Sequence, residues 1–304
     1  MMYYKNNKID LYAYFYGLVR QIPYGMVSTY GDLAIALGDV IASRAVGEML
    51  SQNPDPGIIP CHRVVKGDGT IGGFTHPEGV RKKVELLESE GMKIENKKII
   101  NFEKVRFRDF QTEYPLKKLR ESETELYEKI SFEDCDFEKI FSYDVSYNKR
   151  DAYIAKVEFD INLNIIDYKL KKVRVDFPYI PTYLFYREGL LLLDEKPSGL
   201  GIIDGNGILH PRKLGIATFL GILWEMPTIG IAKTLLLGNI KDDKIYVNGE
   251  LRGFSIKKRF VSPGNRISLK KTYALMKDLL VKGDPIKPAH ELAKHFMESE
   301  RQRQ

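Results

Sequence analysis

The most apolar segment of the chain, LGIATFLGILWEMPTIGIA at residues 214–232, constrains its fold more than any other feature. Glu225 and Pro227 interrupt it, so it reads as a buried helix followed by a buried strand rather than as a membrane span. LGIID at 200–204 is a second buried run, and TYLFYREGLLLL (182–193) and PRKLGIATFLGILWE (211–225) read as helices. Buried runs linked by helices indicate a mixed α/β sheet. FSYDVSY, DAYIAKVEF and NIIDYKLKKVRV alternate as a meander of three antiparallel strands. KKTYALMKDLL and PAHELAKHF close the chain as helices.

The first third has a different texture. Asp10 caps a helix whose apolar face is Leu11, Phe15, Leu18, Val19 and Ile22, stopped by Pro23 and Gly25. STYGDLAIALG offers Thr29 as a cap, Leu33 and Leu37 inward, and Gly38 as the stop. DVIASRAVGEMLSQNP continues as a helix from an Asp39 cap to Asn53. Two short helices joined by a tight glycine turn match a helix-turn-helix, a pattern that any helical hairpin in a core shares. Charge dominates residues 94–125 and periodicity is poor there, which puts a domain boundary near residue 110.

A formal charge of +6 permits a polyanionic partner without requiring one. The two cysteines, Cys61 and Cys135, make no disulfide framework and indicate a reducing compartment. MMYYKNNKID carries no secretion signal. The chain is therefore expected to be soluble, cytoplasmic and free of membranes. Cys135 lies among acids in FEDCDFEK, which disfavour the thiolate, and it is assigned no role.

A thiol reacts as the thiolate and needs a base or a positive neighbour; His62, beside Cys61, can supply the base. Adjacency alone is equally the mark of a small buried residue with an incidental neighbour. The surroundings decide it: PCHRVV, preceded by RAVGEMLSQNP and followed by GTIGGF and LLESEG, resembles the active-site domain of O6-alkylguanine-DNA alkyltransferases over residues 8 to 108. The resemblance implies that Cys61 takes an alkyl group from guanine O6 in a single turnover, with no cofactor. It implies that His62 deprotonates Cys61 through a water, that Glu90 orients His62, and that Tyr30 protonates the departing guanine. Arg44 would fill the gap left by the flipped base, and Asn53 would brace the active-site turn. Glu48 and Met49 stand where a DNA-facing helix of this family often has small residues. The loop GGFTHPEGVRKK is longer than the family's, which leaves Thr75 without an assigned role. Non-reacting alkyltransferase-like lesion binders replace the cysteine, so Cys61 argues against that alternative.

Asp144 and Asp204 both follow apolar runs expected to be buried. Buried carboxylates are costly unless they are paired or bind a metal, and converging acids suit Mg²⁺. FSYDVSY, PYIPTYLFYREG, IIDGNGILHPRKLGIA, PTIGIAKTLL and FVSPGNRISL occur in the order and spacing of endonuclease V, which this half resembles over residues 112 to 304. That resemblance implies an RNase H-like fold and Mg²⁺-dependent nicking 3′ of inosine, with Mn²⁺ as a substitute. Asp144, Glu188 and Asp204 would hold the metal, Lys233 would neutralise the attacked phosphate, and His210 would stand beside the site. Pro178, Tyr179, Ile180 and Pro181 match the wedge that replaces a flipped base. Gly205 and Gly230 match the close backbone approach of a hypoxanthine pocket. Thr182 and Asn265 depart from the glycine and histidine usual at their positions.

The expectation is a two-domain α/β chain. Residues 1–110 form a mostly helical alkyltransferase domain with a helix-turn-helix, and residues 111–304 form an RNase H-like mixed-sheet endonuclease V domain. It is expected to act as a monomer on damaged double-stranded DNA. The alternatives are a regulatory DNA reader with vestigial domains, or a nuclease half that acts on inosine in RNA.

Overall fold

The computed structural model of the protein describes residues 9–194 and 196–303. They pack as two compact units, one built from Ile9–Ser122 with Asp176–Pro181, the other from Glu123–Val175 and the chain from Thr182 onward.

In the first unit, Asp10 accepts the Ala13 N–H at 2.9 Å and starts the helix Leu11–Arg20, which buries Leu11, Phe15, Leu18 and Val19. Thr29 Oγ1 accepts the Asp32 N–H at 3.0 Å and starts the helix Tyr30–Leu37. Gly38 ends that helix at φ +101°, and a Cβ there would lie 2.7 Å from the Lys117 nitrogen. The single helix expected from Asp39 to Asn53 is divided: Asp39 caps a 3₁₀ turn at Val40–Ala42, and the α-helix is Ser43–Ser51. Met49 is fully buried on that helix and Glu48 only partly so. Its neighbourhood is core, where Tyr16 donates to the Met49 carbonyl at 2.9 Å.

A short parallel pair, β1 (Ser28–Thr29) with β2 (Val64–Val65), ties the start of the second helix to the segment after Cys61. A further helix, Gly79–Ser89, and a hairpin of β3 (Ile94–Glu95) and β4 (Lys98–Ile99) complete the unit's main elements. Asp32, 7% exposed, is gripped by Arg106 through two hydrogen bonds of 2.8 Å and by the Thr29 hydroxyl at 2.7 Å.

In the second unit β5 (Ile140–Asn148), β6 (Asp151–Phe159) and β7 (Ile165–Arg174) form the expected antiparallel meander. β8 (Leu200–Asp204) and β9 (Thr228–Ala232) are the two buried runs, and β5, β8 and β9 pair in parallel. Beyond them lie β10 (Asn239–Lys241), β11 (Lys244–Val247), β12 (Glu250–Ile256) and β13 (Arg259–Asn265). The nine strands run in the order β10-β11-β12-β13-β9-β8-β5-β6-β7, a mixed sheet. Pro263 is tolerated inside β13 because pairing with β12 ends at Val261, leaving only β9 beside it.

The helix expected over 182–193 is a π-helical turn, Phe185–Gly189, followed by the short helix Leu190–Leu192. The next helix starts at Ile216 rather than Pro211. Gly215 packs too closely on the preceding loop, where a Cβ would lie 2.1 Å from the Asn206 carbonyl oxygen, for residues 211–215 to coil earlier. The helices Leu269–Lys282 and Lys287–Gln302 close the chain, and Met276, Leu279, Ile286 and Ala289 pack with Ile202, Ile229 and Val261 of the sheet. No helix among the described residues is long and apolar enough to cross a membrane.

Asp32→Asn leaves the Arg106 guanidinium with only the exposed Glu103 as counter-charge and is expected to destabilise the protein by roughly 2 kcal/mol. Chemical denaturation of the two proteins checks this.

Candidate active sites

Cys61 opens a 3₁₀ turn, Cys61–Arg63, and is 8% exposed. Its N–H donates to the Ile59 carbonyl at 2.7 Å, and Asn53 Nδ2 donates to the same oxygen at 3.0 Å. Asn53 therefore anchors the chain two residues before the thiol. A cavity of about 300 Å³ lies over the sulfur, walled by Tyr30, Leu50, Asn53, Pro56 and Phe74, with Thr75 also on its lining. Tyr30 is the first residue of its helix, and its hydroxyl passes so near Gly72 that a Cβ there would be 2.8 Å from it. Burial, then the neighbouring Cys61, holds the Tyr30 hydroxyl above its ordinary pKa, so it stays a proton donor at neutral pH. Arg44 is exposed on the helix face that also carries Gly47 and Ser51 of the cavity wall.

His62 Nε2 meets Glu90 Oε1 at 2.7 Å. Glu90 also accepts from Arg63 Nε at 3.0 and 2.9 Å and from the Gly25 N–H at 3.2 Å. Burial raises the Glu90 carboxyl, but these donors outweigh it and bring it below its usual range, so it is ionised. For His62 burial outweighs Glu90, and the imidazole lies below its ordinary value, neutral and ready to accept a proton. No hydrogen bond joins His62 to Cys61 among the described residues. Any proton passing between them needs an intermediary.

Sequence reading missed Lys83. It is 1% exposed and donates to the carbonyls of Val64 and Gly73, at 2.5 and 3.3 Å. Burial pulls its ammonium down to about 8, partly opposed by the charge of Cys61 nearby, so it remains a cation beside the sulfur at neutral pH. No sequence motif singles it out.

The second cluster follows from sheet register. β5 and β8 pair in parallel with Tyr143 opposite Ile203, so the next residues, Asp144 in mid-β5 and Asp204 at the end of β8, come side by side where that pairing stops. Burial first, then the charge of the facing Asp144, raises the Asp204 carboxyl to about 6. Lys233, just past the end of β9, reaches Asp204 Oδ2 at 3.6 Å. Glu188 projects from the π-helical turn. Burial, with Asp144 and Asp204 adding to it, raises its carboxyl to about 8. His290, from the helix Lys287–Gln302, holds Asp144 Oδ2 through Nδ1 at 2.7 Å and was also missed. Nothing near it in sequence announces a partner on β5.

Facing carboxylates that are largely buried suit a hard divalent cation chemically. Asp144 and Asp204 supply the facing pair. Among the described residues no three acid, histidine or cysteine side chains are grouped so that they could hold a metal ion by themselves.

His210 is 3% exposed and held near 3 by burial and the charges of Arg212 and Arg252, so it is neutral. Its Nε2 donates to the Thr182 carbonyl at 3.2 Å. Thr182 adopts φ +69°, a region that favours glycine, and Arg212 secures it by donating to its carbonyl at 2.8 Å. Asn265 is a packing residue, accepting from the Ser131 N–H and donating to the Gly221 carbonyl, both at 2.9 Å. Gly230 lies against the loop after β8, where a Cβ would be 2.3 Å from the Gly207 nitrogen; at Gly205 a Cβ would be 2.6 Å from Ile216. Within Pro178–Pro181, which groups with the first unit, Tyr179 is exposed while Pro178 and Ile180 are buried.

Because His62 lies below its ordinary value, a thiol activated by it should react at a constant rate from pH 8 down to about 6.5 and slow only beneath that. A midpoint above 6.5 in the rate of Cys61 alkylation would contradict this. Glu90→Gln, which removes the imidazole's anchor, is expected to slow the reaction roughly 100-fold.

A family model described as endonuclease V matches residues 121–291, and one described as the DNA binding domain of 6-O-methylguanine DNA methyltransferase matches residues 10–92. A bifunctional methyltransferase/endonuclease of Picrophilus torridus is 44% identical over 89% of this chain and 91% of its own length. A protein of the same description from Thermoplasma volcanium is 45% identical over 88% of this chain and 84% of its own. In fold, the chain is similar to Ciona intestinalis endonuclease V, solved in complex with a 24mer DNA containing an inosine followed by a ribo-adenosine. That likeness has a TM-score of 0.52 at 22% identity and covers 60% of this chain and 98% of the other. Matched in both parts and over most of its length, the chain belongs to the bifunctional methyltransferase/endonuclease family.

Proposed function

We propose that the chain repairs DNA by two separate reactions, divided functionally near residue 110. In the first, Cys61 attacks the alkyl carbon of an O6-alkylguanine flipped into the cavity above it. The S–C bond forms as the bond to O6 breaks, His62 takes the thiol proton through a water, and Tyr30 protonates the departing guanine. Glu90 orients His62, Asn53 braces the turn, and Arg44 fills the vacated stack. The thioether is stable, so each molecule reacts once.

In the second reaction a DNA strand is nicked 3′ of inosine. Asp144, Asp204 and Glu188 hold Mg²⁺, or Mn²⁺ in its place, and Lys233 faces the attacked phosphate with His210 beside the site. When bound, the cation supplies positive charge against that building on the phosphodiester. Tyr179 and its neighbours act as the wedge, and Gly205 and Gly230 shape the base pocket. The inosine-containing DNA held by the Ciona intestinalis relative supports DNA as the substrate. The protein is read as a cytoplasmic monomer.

What carries this reading is that each unit holds its own site: a buried thiol beside the His62–Glu90 contact of 2.7 Å, and separately the facing pair Asp144 and Asp204. Incubation with O6-methylguanine DNA is expected to add one methyl mass, mapped to Cys61 and lost in Cys61→Ser. Inosine DNA is expected to be nicked only with a divalent cation, and Asp204→Ala should abolish nicking while leaving alkyl transfer intact. Absence of the mass shift in the wild type sinks the first reaction, and preference for inosine RNA over DNA redirects the second.

A further inference from the structure

We propose that Tyr147 is a positioning residue of the nuclease site: its hydroxyl holds Glu188 by one oxygen, so that the carboxylate offers only the other to a divalent cation or its water. This rests on the reading of Asp144, Glu188 and Asp204 given above.

β5 runs on past its pairing with β8, which stops at Tyr143 and Ile203, and Tyr147 stands on that overhang. Its hydroxyl donates to Glu188 Oε1 at 2.9 Å. The guanidinium of Arg187 lies over the Tyr147 ring, 4.1 Å from its centroid, so the residue beside Glu188 fixes the ring that holds Glu188. Both come from the π-helical turn Phe185–Gly189, whose wider coil redirects consecutive side chains. No hydrogen bond to Glu188 Oε2 is found among the described residues.

The choice of donor matters. A lysine on Oε1 would neutralise the carboxylate and compete with a cation, whereas a phenol O–H orients it and leaves its charge available. With Oε1 occupied, Glu188 contributes one oxygen. That suits a small octahedral ion such as Mg²⁺ or Mn²⁺ and disfavours Ca²⁺, which readily takes a carboxylate through both oxygens. Tyr147 thus acts through Glu188, on affinity and on the choice of ion.

Tyr147→Phe keeps the ring under Arg187 and removes only the hydroxyl. Mn²⁺ binding to the full chain, followed by electron paramagnetic resonance without nucleic acid, is expected to weaken roughly 10- to 100-fold. Ca²⁺ should displace Mn²⁺ from the variant more readily than from the wild type, and the melting temperature should stay unchanged. Wild-type Mn²⁺ affinity and Ca²⁺ competition in the variant would overturn the proposal. So would a loss of affinity that tracks a loss of thermal stability, since Tyr147 would then be structural. If the wild type itself binds no Mn²⁺, the metal reading of the acids fails first, and this inference falls with it.

Discussion

The parallel pairing of β5, β8 and β9 places Asp144, in mid-β5, beside Asp204 at the end of β8, and much of the second unit follows from that register. Burial and the charge of the facing Asp144 raise the Asp204 carboxyl, so the pair favours positive groups around it. The surrounding elements bring what the strands lack. β9 delivers Lys233, the last helix delivers His290 to the outer oxygen of Asp144, and the π-helical turn delivers Glu188. Backbone geometry imposes an electrostatic debt, and chemistry that needs a cation can use it.

The first unit solves a different problem with a different device. On the proposed reading its thiol uses a base that is neutral and fixed: burial keeps His62 neutral against the pull of Glu90, and Glu90, an anchored anion, fixes the imidazole. Arg63 holds Glu90 from one side and the Gly25 N–H from another, so the carboxylate is free to orient His62 but not to wander. Lys83, enclosed and satisfied by two carbonyls, places a cation near the sulfur without offering it to solvent. Neither site borrows a residue of the other's motifs, which agrees with a chain whose relatives are described by two activities.

Local chemistry was legible wherever one residue decides one feature. Asp10 and Thr29 cap as their side-chain chemistry dictates, Gly38 stops its helix, and the alternation of residues 140–174 gives the meander. Features that depend on partners distant in sequence were not. Strands β10 to β13 went unread because Pro263 and Gly264 look like breakers until the sheet leaves that stretch paired on one side only.

The sequence by itself pointed to two families through whole motifs, PCHRVV and IIDGNGILHPR with their surroundings, and not through a thiol beside a histidine or single acids, which are ambiguous alone. It also determined most helix starts and stops, because a cap acts over three or four residues. Only the tertiary structure decided which groups support those chemistries: Arg63 on Glu90, Lys83 near Cys61, His290 on Asp144 and Tyr147 on Glu188. Most of these partners lie tens of residues or more apart in the chain, and burial and hydrogen-bond geometry, which select them, exist only once the elements have packed.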